Sequence, residues 1–159
     1  MRTEKGMQIF FEIHSGLPRE GPGDSRSTKR AFALLSDLPP EPHVLDIGCG
    51  PGMQTLDLAR LTRGQIVALD NHQPFLDELS ARARRAGLGS RVQAIYGDME
   101  DLPFPRASFD LIWAEGSIYI FGFEKGLRAW KTLLRAGGYL AVKAGGAGER
   151  YVLIIQRTR

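Results

Sequence analysis

The chain has 159 residues, 43% of them hydrophobic and 25% charged, with 21 Lys and Arg against 18 Asp and Glu for a formal net charge of +3. That length suits one domain, residues 1–159, with a real hydrophobic core, and no apolar run approaches the roughly 20 residues of a membrane span. Cys49 is the single cysteine, which excludes an internal disulfide and a multi-cysteine zinc site, and the three histidines are too scattered to suggest a metal.

The start, Met1-Arg2-Thr3-Glu4-Lys5, leads into no signal-peptide apolar region, so a cytoplasmic location is expected. Arginines cluster at Arg82, Arg84 and Arg85 and again at Arg157 and Arg159. A nucleic-acid groove needs cations gathered on one face with aromatics among them. Here they read as a solvated helix face and a basic tail.

Residues 1–30 read as an irregular N-terminal lid, with an apolar stretch at 7–13 that suits a short helix, and residues 31–159 as the core. Ser27 or Thr28 can cap a helix carrying Ala31, Leu34, Leu35 and Leu38, which stops at Pro39-Pro40. Strand and helix patterns then alternate. Residues 43–47 are a short apolar strand, 53–61 a helix, and 65–70 a second strand. The next helix has Pro74 in its first turn, an inward stripe of Phe75, Leu79 and Ala83, and Gly87 as its stop. Third and fourth strands are expected at 92–96 and 109–113. A helix through Leu127, Trp130 and Leu134 is expected to end at Gly137-Gly138, ahead of a fifth strand at 139–142. Apolar strands separated by helices predict an α/β fold, a doubly wound parallel sheet with helices on both faces. Its ligand belongs at the carboxyl ends of the strands.

The informative residues lie there. Strand one ends in Asp46-Ile47-Gly48-Cys49-Gly50-Pro51-Gly52. Glycines at such a turn let a ligand approach the backbone. A dinucleotide fingerprint would need glycine at position 53, which is Met. Strand two ends at Asp70, whose carboxylate can accept hydrogen bonds from both hydroxyls of a ribose. Strand three runs into Gly97-Asp98-Met99, and strand four into Trp113-Ala114-Glu115-Gly116-Ser117.

The glycine turn with Asp46 two residues before it resembles motif I of class I S-adenosylmethionine-dependent methyltransferases. Asp98 is similar to that family's acceptor for the adenine amine, and Leu133-Leu134-Arg135-Ala136-Gly137-Gly138 resembles the turn before its strand five, with Arg135 and Ala136 where lysine and proline are common. The resemblance covers about residues 7–142 and extends to a group of bacterial small-molecule methyltransferases through Phe10–Gly23 and Trp113–Tyr119. It implies a Rossmann-like fold, S-adenosyl-L-methionine as cofactor and a small-molecule methyl acceptor. It also implies a cofactor site of Asp46, Gly48, Gly50, Asp70, Asn71, Asp98, Met99 and Glu115. For chemistry on the acceptor the candidates are His14, Glu115 and Tyr119, although an amine that is already neutral needs no base.

Three rivals remain at this level. Met53 argues against a dinucleotide oxidoreductase. Ala114-Glu115-Gly116-Ser117 stands where base-amine methyltransferases carry an Asn/Asp-Pro-Pro-aromatic motif. The third is a cofactor-binding module with little catalysis. It arises because 143–149 lead at once into a β-branched run at 151–156, which resembles the family's last, antiparallel strand. That implies a form shortened after strand five, with an edge strand on which a second copy can pair.

Overall fold

The computed structural model describes residues 24–146 and 149–157. Its elements are α1 (Ser25–Phe32), β1 (His43–Ile47), α2 (Met53–Leu61), β2 (Gln65–Asp70), α3 (Gln73–Arg85), β3 (Val92–Tyr96), β4 (Phe109–Glu115), α4 (Ile118–Phe121), α5 (Phe123–Lys131), β5 (Leu134–Gly146) and β6 (Glu149–Gln156). The six strands form one sheet in the order β3-β2-β1-β4-β5-β6. All neighbours run parallel except β5 and β6, which are antiparallel with Tyr139 opposite Gln156 and Val142 opposite Leu153. The expected pairing of the last strand is therefore found.

Alternate residues of the strands feed two apolar layers. Val44, Ile66, Leu111, Trp113 and Tyr139 pack with Ala31 of α1, Leu58 of α2 and Leu79 of α3. On the other face Leu45, Ile47, Leu69, Ile112, Leu140 and Val142 pack with Ile118, Phe121 and Trp130. A strand buried on both sides has no polar face, which is why β1 after its exposed first residue, His43, reads as an apolar run broken by Asp46. The strand order reverses between β1 and β4, and that crevice is where a doubly wound sheet receives its ligand.

Helix ends follow local chemistry, with corrections. α3 stops as expected: the Gly87 amide donates to Arg84 O and the Leu88 amide to Ala83 O, with Gly87 at φ +71°. α1, however, is capped by Asp24 rather than by Ser27 or Thr28. The Ser27 amide donates to Asp24 Oδ1 at 2.7 Å while Ser27 Oγ accepts from the Asp24 amide at 3.3 Å. α1 also ends at Phe32, well before Pro39, and leaves Leu34 exposed. Leu134 is the first residue of β5 and not the end of α5, which stops at Lys131. Gly137 and Gly138 fall in an irregularity of the β4–β5 ladder, between the Phe109–Leu134 and Leu111–Tyr139 pairs. Arg82 is not simply solvated, since its Nη1 donates to Pro51 O at 3.2 Å and its Nη2 pairs with Glu78. The expected helix at 7–13 and residues 1–23 of the expected lid lie outside the described residues, while Ser25–Arg30 of that segment are not irregular but helical, in α1. No helix among the described residues is long and apolar enough to cross a membrane.

Candidate cofactor site

The turn after β1 wraps around the end of β2. The amides of Gly48 and Cys49 both donate to Leu69 O, at 2.8 and 3.0 Å. Gly48 has φ +70°, and a Cβ there would lie 2.5 Å from Ser117 Cβ and 3.7 Å from Met99 Cε. No side chain fits at Gly48. The space over Gly48 is filled by Ser117, with Met99 beside it. Ser117 is itself fixed, its Oγ donating to Ile47 O at 2.8 Å.

Asp70 closes this turn from the β2 side. Its Oδ2 accepts from the Gly50 amide at 2.9 Å and its Oδ1 from the His72 amide at 3.0 Å. The residue is only 9% exposed. Burial holds its carboxyl above the ordinary carboxylate range, and the amide bonds from Gly50 and His72, the His72 charge and the Asn71 amide reverse this only in part. Asn71 is exposed beside it.

The third side is the loop after β3. Asp98 is exposed, its Oδ1 accepting from the Glu100 amide at 2.9 Å. The Gly97 amide donates to Asp70 O at 3.0 Å, and Met99 O accepts from Trp130 Nε1 at 3.1 Å. Gly48, Gly50, Asp70 and Met99 are thereby gathered at one sheet end, with Asp98 next in the chain.

Two acids of the expected site are engaged elsewhere. Asp46 is fully buried, and its Oδ2 accepts from Thr55 Oγ1 of α2 at 2.6 Å. That bond ties its carboxylate to α2. Glu115 is 8% exposed; its Oε1 lies 2.9 Å from Lys143 Nζ, and its Oε2 accepts from Trp113 Nε1 at 3.3 Å and Thr28 Oγ1 at 3.4 Å. Tyr119 is 62% exposed on α4. His14 lies outside the described residues. Cys49 is buried, as a packed residue of the turn should be.

Sequence reasoning did not single out Ser117, Lys143 or Trp130. Ser117 stood within the quoted stretch after strand four, but nothing local says that its hydroxyl reaches β1. Lys143 carried a weak signal, a cation closing an apolar strand. Its partner follows from register, Glu115 opposite Lys143.

Comparison with known proteins identifies the family of the chain. The family profile described as a methyltransferase domain matches residues 44–138. Methyltransferase GfsG of Streptomyces halstedii is 34% identical over 118 residues, 74% of this chain and 42% of that protein. A sterol 24-C-methyltransferase of Eremothecium gossypii is 33% identical over 109 residues, 68% of this chain and 29% of that protein. Among solved structures, the [4+2]-cyclase SpnF superposes with a TM-score of 0.72 at 26% identity, covering 89% of this chain and 58% of that one. The chain spans less than half the length of the two curated relatives. A glycine turn closed by a buried acid, on a sheet of this order and within the matched span, assigns the chain to the methyltransferase-domain family.

Proposed function

We propose that this domain binds S-adenosylmethionine across the glycine turn and transfers its methyl group to a small-molecule acceptor. The observation that carries the reading is the buried Asp70 carboxylate, held 2.9 Å from the Gly50 amide at the mouth of a turn that leaves no room for a side chain at Gly48. A nucleoside fits that chemistry: Asp70 accepts from ribose hydroxyls, Asn71 lies beside it, and Asp98 and Met99 flank the base. Gly48 and Gly50 present backbone to the amino-acid part. Asp46 and Glu115 support the site from the α1–α2 side.

When bound, the cofactor supplies a methyl on a positively charged sulfur, ready for in-line displacement. This chain's part is alignment and exclusion of water, worth up to about 7–11 kcal/mol in model reactions. Ser117 pins the loop after β4 to the glycine turn, so the wall carrying Tyr119 keeps a fixed place relative to the cofactor. Tyr119 and His14 are the candidates for contact with an acceptor.

Asp70→Ala should weaken S-adenosylmethionine binding by about 1.5–3 kcal/mol, the loss of two charged hydrogen bonds; wild-type affinity by calorimetry would sink the assignment. The pH dependence is a second arm of that experiment. Between the ordinary carboxylate range and the raised value of Asp70, the folded chain holds a proton that the unfolded chain has released. Ionisation there subtracts from stability as pH rises. Hydroxyl donors favour the ionised form. Affinity should therefore rise with pH through that window and level off above it, and Asp70→Asn should flatten the curve.

A second reading, cofactor binding without methyl transfer, is kept by one comparison: the similar SpnF is a cyclase. Calorimetric binding with no transfer to any acceptor tried would favour it. No nucleic-acid partner belongs to either reading. Self-association does: β6 is the edge of the described sheet, a template on which a second copy pairs. Sedimentation at raised concentration should then give a mass above that of one chain, and a single-chain mass throughout would remove the suggestion.

A further inference from the structure

The Glu115–Lys143 pair is the most deeply buried ion pair among the described residues, with both side chains 3% exposed. Taking two charges out of water is costly, and such a pair is often no better for stability than apolar residues of the same volume. Its contacts suggest what it does instead. Lys143 Nζ donates to Ser27 Oγ as well as to Glu115, and Glu115 Oε2 accepts from Thr28 Oγ1 at 3.4 Å. Ser27 and Thr28 stand in the first turn of α1. The two strands come from one ladder, with Glu115 opposite Lys143 at the carboxyl end of the sheet. The apolar hold on this helix lies at its other end, in Ala31 and, beyond its last turn, Leu35.

We propose that Lys143 is a positioning residue: holding Ser27 directly and Thr28 through Glu115, it latches the first turn of α1 onto the carboxyl ends of β4 and β5. Both hydroxyls also reach Asp24 O, at 2.9 Å from Ser27 Oγ and 3.3 Å from Thr28 Oγ1, but those bonds are internal to the helix start and do not tie it to the sheet. Two opposite charges fixed by strand register give those hydroxyls one acceptor and one donor at defined places. The latch sets where α1 sits beside the cleft. Docking of α1 stands without the methyl-transfer reading; only its consequence for an acceptor rests on it.

Hydrogen exchange of the whole chain tests this residue by residue. Lys143→Met keeps the length and removes the charge, and should speed exchange of the α1 amides by about tenfold, as local opening without global unfolding does. The amides of β1 and β2 should keep their rates, and Lys143→Arg should restore most of the protection in α1. The double variant Glu115→Gln/Lys143→Met leaves no unpaired charge, so it should fold, yet α1 should still exchange faster than in the wild type. Wild-type exchange of α1 in either folded variant would overturn the proposal. So would equal acceleration everywhere, which marks a purely global effect, or failure of both variants to fold. Calorimetry with S-adenosylhomocysteine on the same wild-type sample separates the two readings. Absence of binding heat would count against the cofactor reading and leave the helix result untouched.

Discussion

Trp130→Ala is expected to destabilise the domain by about 3–5 kcal/mol, the range for removing a fully buried tryptophan from a packed core. Trp130 is 0% exposed and its ring lies 6.1 Å from that of Phe121. Neighbours on both the sheet and α4 would have to collapse to refill that volume. Urea unfolding would report the loss as a lower midpoint at unchanged slope. A second effect separates this tryptophan from an ordinary core residue. Its Nε1 donates to Met99 O at 3.1 Å, so α5 holds the loop that carries Asp98 and Met99. Trp130→Phe keeps most of the apolar volume and removes the donor. It should cost less, about 1–3 kcal/mol for leaving the carbonyl without its donor, and should weaken S-adenosylmethionine binding more than its stability loss alone would explain. An alanine variant within about 1 kcal/mol of the wild type would contradict the packing account. Unchanged affinity in the phenylalanine variant would contradict the role in the loop.

Gly52→Val should be nearly as severe, at about 2–5 kcal/mol, from two independent causes. Gly52 precedes α2 with φ +90° and ψ +19°, a left-handed conformation that costs a residue with a Cβ about 1–2 kcal/mol. A Cβ there would also lie 2.2 Å from Leu79 Cδ1, and Leu79 is fully buried in α3. Overpacking a filled core costs about 1–3 kcal/mol more. The two causes can be told apart with a cycle. Gly52→Ala carries the backbone term and the clash, and Leu79→Ala removes the two closest clashing atoms, Cδ1 and Cγ, at the expense of a cavity. The double variant should be less destabilised than the two single losses combined, because the new methyl occupies space that Leu79 vacates. Strict additivity would show that Leu79 is not what forbids a side chain at this turn.

Glycine at this position is therefore required by packing as much as by any ligand, and that distinction was invisible in the sequence. A glycine turn after an apolar strand was legible because its signature is local. So were the ends of β1, α2 and β2, where apolar pattern and turn residues agree. The stop of α3 at Gly87 was legible for the same reason: a glycine in the left-handed region ends a helix using bonds to Ala83 and Arg84 alone. Leu134 misled because apolar residues at Leu127, Trp130 and Leu134 satisfy helical spacing, while its place in β5 comes from pairing with Phe109 in another strand, whose amide donates to Leu133 O.

By itself the sequence determined what depends on residues within a turn or two of each other: the alternation of strands and helices, the glycine turn, the acid at the end of β2. The tertiary structure decided every partnership across the chain. It turned Asp46 toward Thr55, set Lys143 against Glu115 28 residues away, and joined Trp130 to the backbone of Met99 31 residues away. Conformational preference acts through neighbours a few bonds apart. Charge pairing, close approach at a glycine and the burial of an acid depend on which strands lie side by side and in what register, and register is set by the packing of the whole sheet.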